Sequence, residues 1–558
     1  MIKLLNWVLF ISILSARVPD ATGKNGAVTS SNEYATQVGI DILEDGGNAI
    51  DAAIAVGFAL GVVHPAAGNI GGGGFMLIRF EDGTVTSIDF RETAPAGATR
   101  DMFLDTNGEV IPGKSWKTSW ASGVPGSVSG YGLAHEKYGS LPWKSLIKPS
   151  IKLARNGYEL DYQSAKSFED YREYLGSDEV SSSVFLFKDN ISIGDRLKQP
   201  ELAKTLKRIS KKGPNEFYTG KTADLIVKCM KRTNGLITKE DLANYEAIER
   251  IPIKFDYRGY TVYSMPPPSS GGIAIAGILN QLENIDLSKI SFHSAKHLHY
   301  LTEAERRIYA DRSTMLGDSD FFPVPIDELI SQNYANDKWK TIDSSMATPS
   351  SEIIPKEPAG YFESDETTHF SVVDRWGNAV SVTTTINGWF GNGITVDGAG
   401  FLLNNEMDDF SSKPGVPNAY GLIGSRANEI APGKRMLSSM TPTIVENPDG
   451  SLFLVVGSPG GSKIITATLQ VISNVIDYQM NIQDAVESPR YHHQWLPDVI
   501  FVEENGYTIE TINQLEVNGY QFALSGPMGE ANCIMVDHTT GMIHATGDSR
   551  RGASALAY

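Results

Sequence analysis

Cysteine is scarce: Cys229 and Cys533 are the two in a chain of 558 residues. A disulfide-stapled scaffold is dense in cysteine, so that class is excluded. The two lie far apart and read as buried thiols. Positive charge is also in short supply. Lys and Arg number 48 against 66 Asp and Glu, a net charge of −18. That balance argues against a nucleic-acid binder, which needs a basic stripe. Long apolar runs are missing outside the N-terminus, so no membrane span is expected. There Leu4–Leu14, broken by Asn6 and Ser12, is too short to cross a bilayer comfortably. With Lys3 before it and the small residues Ser15-Ala16 after it, residues 1–16 read as a signal peptide. The expected location is periplasmic or secreted; a buried N-terminal helix is the other reading. No repeat of fixed period and no low-complexity tract is present. Gly68-Asn69-Ile70-Gly71-Gly72-Gly73-Gly74 has no Gly-Lys-Ser/Thr after it and precedes a strand, so it is no P-loop. Close backbone approach is its better account.

What is present builds a core. Hydrophobic residues make up 41% and charged residues 20% of the chain, the balance of a globular protein. Helices are predicted over 31–44, from an Asn48 cap to Val62, and over 127–137, 143–155, 200–210, 222–232, 273–282, 294–309 and 464–478. Strands are predicted over 75–80, 85–90, 257–264 and 451–456, with a strand-rich region running to about Pro459. Separate blocks of strands and helices indicate an α+β fold with largely antiparallel sheet. His293, His297 and His299 lie near Glu303 on one predicted helix, but a zinc-protease carboxylate spacing is absent. A solvated helix face is the expectation there, with no metal.

The stretch 365–374 carries the most chemistry. A polar, turn-rich segment from Asp343 to Ser364 leads into Thr367-Thr368-His369-Phe370-Ser371-Val372-Val373, a strand. Arg375-Trp376-Gly377 then turns the chain, and Ala379–Ile386 returns. If Asp374 pairs with Asn378, Thr367 lies opposite Thr385 on the same face. Cleavage before Thr367 would give its hydroxyl a free α-amine as base, with a pKa of about 7.7–8.0. An ordinary strand after an ordinary loop has the same pattern. Two further features bear on the choice. Gly457-Ser458-Pro459-Gly460-Gly461-Ser462 joins a strand to a helix, where successive N–H groups can meet an oxyanion; a plain tight turn is the alternative. Polar clusters at Arg91-Glu92, Asn404–Phe410 and Leu437–Met440 hold the groups a zwitterion needs, but spacing alone does not show that they converge.

Thr367–Asp374 resembles the processing-site signature of γ-glutamyltransferases. So do Leu403–Ser411, Leu437–Pro442, Gly457–Ser462 and Tyr491–Trp495, with Asp89–Pro95 and Met265–Gly272 upstream, all in collinear order from about Gly26 to the C-terminus. The resemblance implies a four-layer αββα sandwich of N-terminal nucleophile hydrolase type, with both subunits contributing to one core. It implies self-cleavage between Glu366 and Thr367, giving a large subunit, residues 17–366 once the signal is lost, and a small subunit, residues 367–558, that stay together as a heterodimer. By resemblance Thr367 is the nucleophile, Thr385 its hydrogen-bonding neighbour, and Gly460 and Gly461 the oxyanion hole. Arg91, Ser438 and Ser439 are implied for the glutamyl α-carboxylate, and Asn387, Glu406 and Asp409 for its α-amine. Tyr420 is implied as the closing residue of a lid loop over 412–421. Glutathione and other γ-glutamyl compounds are the implied donors, with water, amino acids or dipeptides as acceptors and no cofactor. Relatives acting as cephalosporin acylases tend to lack the residue matching Asp409. A β-lactam side-chain acylase of the same fold and a non-catalytic exported solute-binding protein are the competing readings.

Overall fold

A computed structural model describes residues 21–353, 367–413 and 415–558. Residues 1–16, the expected signal peptide, and Glu366 lie outside the described residues. Two seven-stranded sheets form the centre. The first runs, edge to edge, through Ser554–Ala557, Ala27–Ser30, Thr368–Val373, Ala379–Thr385, Gly73–Arg79, Val85–Asp89 and Ile248–Arg250. The second runs through Ala21–Gly23, Met542–Thr546, Cys533–Asp537, Leu452–Val456, Thr443–Glu446, Tyr260–Ser264 and Ile253–Tyr257. Neighbouring strands in both are antiparallel.

Period-two alternation sorts the side chains into layers. On Gly73–Arg79, Met76 and Ile78 face the helical core that holds Ala49–Val63, whereas Leu77 faces the second sheet. On Leu452–Val456, Leu454 and Val456 pack with helices Gly271–Leu282, Ala295–Met315 and Ile464–Ile476, and Val455 turns to the first sheet. The result is helix, sheet, sheet, helix, the expected four layers. Each sheet contains strands from both sides of residue 367, so neither half closes a core alone.

The hairpin register is the expected one. Thr368 sits opposite Thr384 and Val373 opposite Ala379, with the Asp374 N–H donating to Asn378 O at 3.0 Å. Asp374 also accepts from the Trp376 and Asn378 N–H groups and, through Oδ2, from Ala49 N at 2.9 Å. One carboxylate thus closes the turn and caps the central helix. The glycine-rich loop serves close approach. A Cβ on Gly72 would lie 2.0 Å from Thr385 O, and one on Gly74 2.4 Å from Thr383 O. Both glycines let the strand meet the Thr-bearing hairpin at backbone distance.

Three expectations need correction. The stretch 257–264 is not one strand: Arg258 and Gly259, at φ 51° and 85°, form a two-residue turn between Ile253–Tyr257 and Tyr260–Ser264. The region after the hairpin is not strand-rich; among the described residues between Thr385 and Thr443 the regular elements are 3₁₀ turns at Glu406–Asp409 and Arg426–Asn428. Left-handed residues there, Asn387 and Phe390 included, break strand geometry and fold the segment around the site. The histidine helix is not solvated. His297, His299 and Glu303 are at most 3% exposed. His299 bonds Tyr520 Oη and Asp343 O, and Glu303 accepts from Arg307 and Thr348. The helix also continues past Tyr309 to Met315.

Candidate active site

Thr367 stands at the head of strand Thr368–Val373 and is 6% exposed. Extending the register by one residue puts it opposite Thr385. Thr385 Oγ1 accepts from Asn387 N at 2.8 Å. Asn387 is held at φ 66°, which swings its side chain out of strand alternation. Its Nδ2 donates to Asn405 O at 3.0 Å, and its Oδ1 accepts from Tyr420 Oη. Tyr420 therefore seats the loop after residue 412 on the hairpin. Asp408 anchors the same loop by accepting from Ala419 N at 3.1 Å.

Arg91 is fully buried at the end of strand Val85–Asp89. Its two terminal nitrogens donate to Glu406 and to Asp409, and Nε donates to Met436 O at 3.3 Å. Asn404 fixes the Glu406 turn, its Oδ1 accepting from Gly123 N and Glu406 N while Nδ2 donates to Gly71 O and Gly123 O. Glu92 lies 3.8 Å from Arg91 and is also fully buried. Burial pulls the Arg91 pKa down, but Glu406, Asp409 and Glu92 outweigh it and hold the guanidinium charged. Burial pushes the Glu92 carboxyl well up, and the Glu406 charge adds to this. Burial raises Glu406 too, to about 8, against the pull of Arg91. The cluster sets one cation among three carboxyl groups, an acidic bias that suits an incoming ammonium.

Ser438 and Ser439 approach from the other sheet's side. Ser438 is strapped to Pro268 and Ser270 by backbone bonds of 2.9 and 2.8 Å. Gly460 and Gly461, at φ 135° and 54°, open the turn Gly461–Lys463 that leads into helix Ile464–Ile476. Only glycine adopts the first of these angles without strain. Their N–H groups stand where a helix N-terminus favours negative charge.

One cavity collects these groups. Thr367, Thr385, Asn387 and Tyr420 line it with Arg91, Glu406 and Asp409, and Ser438, Ser439 and Gly461 complete the wall. Gly460 sits one position behind. Sequence spacing could not show that convergence, because the residues come from both sheets and from irregular loops. The same cavity is lined by Arg312, which sequence reading missed. Its only signal was the amphipathic stretch after Ser294, which runs two turns beyond the predicted end. Among the described residues no cluster of His, Cys, Asp and Glu forms a metal site, and no helix is long and apolar enough to cross a membrane.

A second cavity also borders Thr367, lined by Ser31, His64, Asp161, Trp389, Glu530 and Arg551 among others. Arg551 lies over the Trp389 ring at 5.9 Å. Glu530 is 3% exposed, and burial lifts its carboxyl from an ordinary 4.5 to about 7. A carboxyl raised in the folded state stabilises less as pH climbs from its unfolded to its folded value. Glu530→Gln is therefore expected to flatten stability between pH 4.5 and 7 and to gain about 3 kcal/mol at pH 8. Denaturant melts at four pH values check this; an unchanged pH slope contradicts it.

Comparison with known proteins places the geometry. The family model described as Gamma-glutamyltranspeptidase matches residues 35–558. The glutathione hydrolase proenzyme of Escherichia coli (strain K12) is 53% identical over 529 residues, covering 94% of this chain and 90% of that protein. That of Bacillus subtilis (strain 168) is 40% identical over 558 residues, covering 96% and 92%. Among solved structures, the cephalosporin acylase from Bacillus halodurans aligns with a TM-score of 0.86 at 26% identity over 99% of both chains. The Helicobacter pylori gamma-glutamyltranspeptidase aligns at 0.57 and 46% identity, covering 60% of this chain and 97% of that one. The threonine-headed hairpin, buried arginine, paired serines and glycine turn are thus set in a scaffold these proteins share, and the chain belongs to the γ-glutamyltranspeptidase family.

Proposed function

We propose that this protein is a self-processing glutathione hydrolase and γ-glutamyltransferase, exported from the cell. One observation carries the reading. A single cavity gathers the threonine at the head of the hairpin, groups of both charges for an α-amino acid end, and a glycine turn for an oxyanion. Processing before Thr367 would leave residues 17–366 and 367–558 associated, since strands of both halves interleave. The Helicobacter pylori chain is covered almost whole by 60% of this one, which supports such a division.

In the mature enzyme the Thr367 hydroxyl attacks the γ-glutamyl carbonyl while its own α-amine takes the proton. The oxyanion that develops is met by the Gly460 and Gly461 N–H groups. The leaving amine collects the proton, and an ester on Thr367 remains. Water, or the amine of an amino acid or dipeptide, then attacks that ester and frees Thr367 Oγ. Arg91, Ser438 and Ser439 hold the glutamyl carboxylate; Asn387, Glu406 and Asp409 hold its ammonium. Tyr420 closes the loop over the donor. The second cavity is the approach for the acceptor, with Asp161 and Glu530 for its ammonium and Arg551 for its carboxylate.

The cephalosporin acylase among the fold neighbours frames the test. γ-Glutamyl and glutaryl anilides, alike but for the α-amine, are turned over side by side. The γ-glutamyl compound is expected to be the better substrate. Asp409→Asn is expected to lose about 10- to 100-fold on it, the worth of a charged hydrogen bond, and far less on the glutaryl compound. Preference for the glutaryl anilide by the unaltered enzyme refutes the reading.

A further inference from the structure

Arg312 is 4% exposed, on helix Ala295–Met315. A cation so placed is costly unless something anionic offsets it. Among the described residues its hydrogen bonds go to hydroxyls: Nε donates to Ser270 Oγ at 2.9 Å and Nη2 to Ser439 Oγ at 3.1 Å. Arg91 nearby has carboxylate partners; among the described residues Arg312 has none in hydrogen-bond contact. Burial accordingly lowers its pKa, with Tyr309 and Asp409 offsetting part of the shift.

The two hydroxyl contacts reach both serines of the pair. Ser439 is touched directly. Ser270 Oγ passes its own proton to Ser438 O at 2.7 Å, reinforcing the Ser270 N–H bond to the same carbonyl. Ser269 Oγ donates to Met440 O at 2.6 Å, so the segment after the proline run clamps residues 438–440 from below. This is the work of the Met265–Gly272 motif, whose prolines and serines no catalytic step claims.

A hydroxyl has one proton and two lone pairs. Ser438 Oγ accepts from Met440 N at 3.0 Å. Ser439 Oγ accepts from Arg312. Each oxygen is occupied by a fixed N–H donor, so each hydroxyl proton remains to be given, and a carboxylate is the partner that takes two at once.

We propose that Arg312 is a positioning residue for substrate selection: its donation to Ser439 and Ser270 presets the Ser438–Ser439 pair as a two-proton clamp for the donor's α-carboxylate. The inference rests on the reading of those serines as carboxylate partners. It makes the pocket's selectivity depend on a side chain that need not touch the substrate. It also offsets the buried charge, because the bound carboxylate brings an anion into the cavity that Arg312 lines.

The test compares γ-glutamyl anilide with 4-aminobutyryl anilide, which lacks only the α-carboxylate. Arg312→Gln is expected to raise KM for the first at least about tenfold, with kcat within about threefold, and to change the second less than about twofold. In a Ser439→Ala background the same change should cost under about threefold, because the two act as one unit. Arg312→Lys keeps the charge and loses the fork, so it should give a ratio between the substrates of about threefold. If Arg312→Gln does not process, that ratio on Arg312→Lys decides. Equal losses on both substrates, or full additivity with Ser439→Ala, overturn the inference. Wild-type enzyme inactive on γ-glutamyl anilide would strike the proposed function instead.

Discussion

Thr367→Ala is expected to give a single uncut chain with at least a thousandfold less γ-glutamyl hydrolysis, the scale on which a covalent nucleophile matters. The argument is geometric. Thr367 is buried at the head of a central strand, not on a surface loop, and it borders both cavities. The strand behind it is pinned by an antiparallel neighbour on each side. Thr368 is tied to Ser31 by a 2.8 Å hydroxyl bond. The methyl and backbone of alanine fit the same place, so the fold should survive while the chemistry stops. Thr367→Ser keeps the hydroxyl and, after cleavage, the α-amine; it should process slowly and turn over measurably. Denaturing electrophoresis with anilide kinetics reads both. A cut Thr367→Ala chain contradicts one nucleophile serving both reactions.

Arg91→Leu should be the most damaging change outside the nucleophile. Arg91 holds Glu406 and Asp409 directly and Glu92 at 3.8 Å, all in the interior. Removing one partner of a buried ionic cluster costs about 3–5 kcal/mol, because the remaining charges are uncompensated. The carboxyls can relieve this by binding protons, which raises their folded pKa values further. Stability is then kept below the unfolded carboxyl range and falls as pH rises, so the variant should be worse at pH 8 than at pH 5. Anilide KM should rise about a hundredfold or more from the lost charged contacts. Arg91→Lys keeps the charge without the fork and should recover stability more than binding. Equal melting of Arg91→Leu and wild type at both pH values would contradict the cluster's role.

The hairpin was legible in the sequence because everything that sets it is local. Asp374, Gly377 and strand-forming side chains define turn, register and faces within twenty residues, and the Thr367–Thr385 relation follows. The helices Ala49–Val63 and Gly271–Leu282 were legible for the same reason, through caps and terminal glycines. Residues 387–442 were not. Their path is dictated by left-handed positions and by side chains such as Asn404 and Asp408 that bind distant backbone, and neither leaves a periodic trace. His297 and His299 are polar, a pattern that reads as a solvated face, yet both are buried. The partners of His299, Tyr520 and Asp343, come from remote segments, and such pairing is what allows a polar side chain to be buried. Beyond the amphipathic stretch that carries it, Arg312 had no local signature; its meaning lies in two serines more than a hundred residues apart in the chain, Ser270 and Ser439.

The central claim is that Thr367 becomes a chain terminus and acts from there. Intact mass and N-terminal sequencing of the purified, unmutated protein test it most directly. The account predicts two chains in equal amount, the smaller starting at Thr367 and ending at Tyr558. A single persistent chain, or a small chain that starts at another residue, would contradict it.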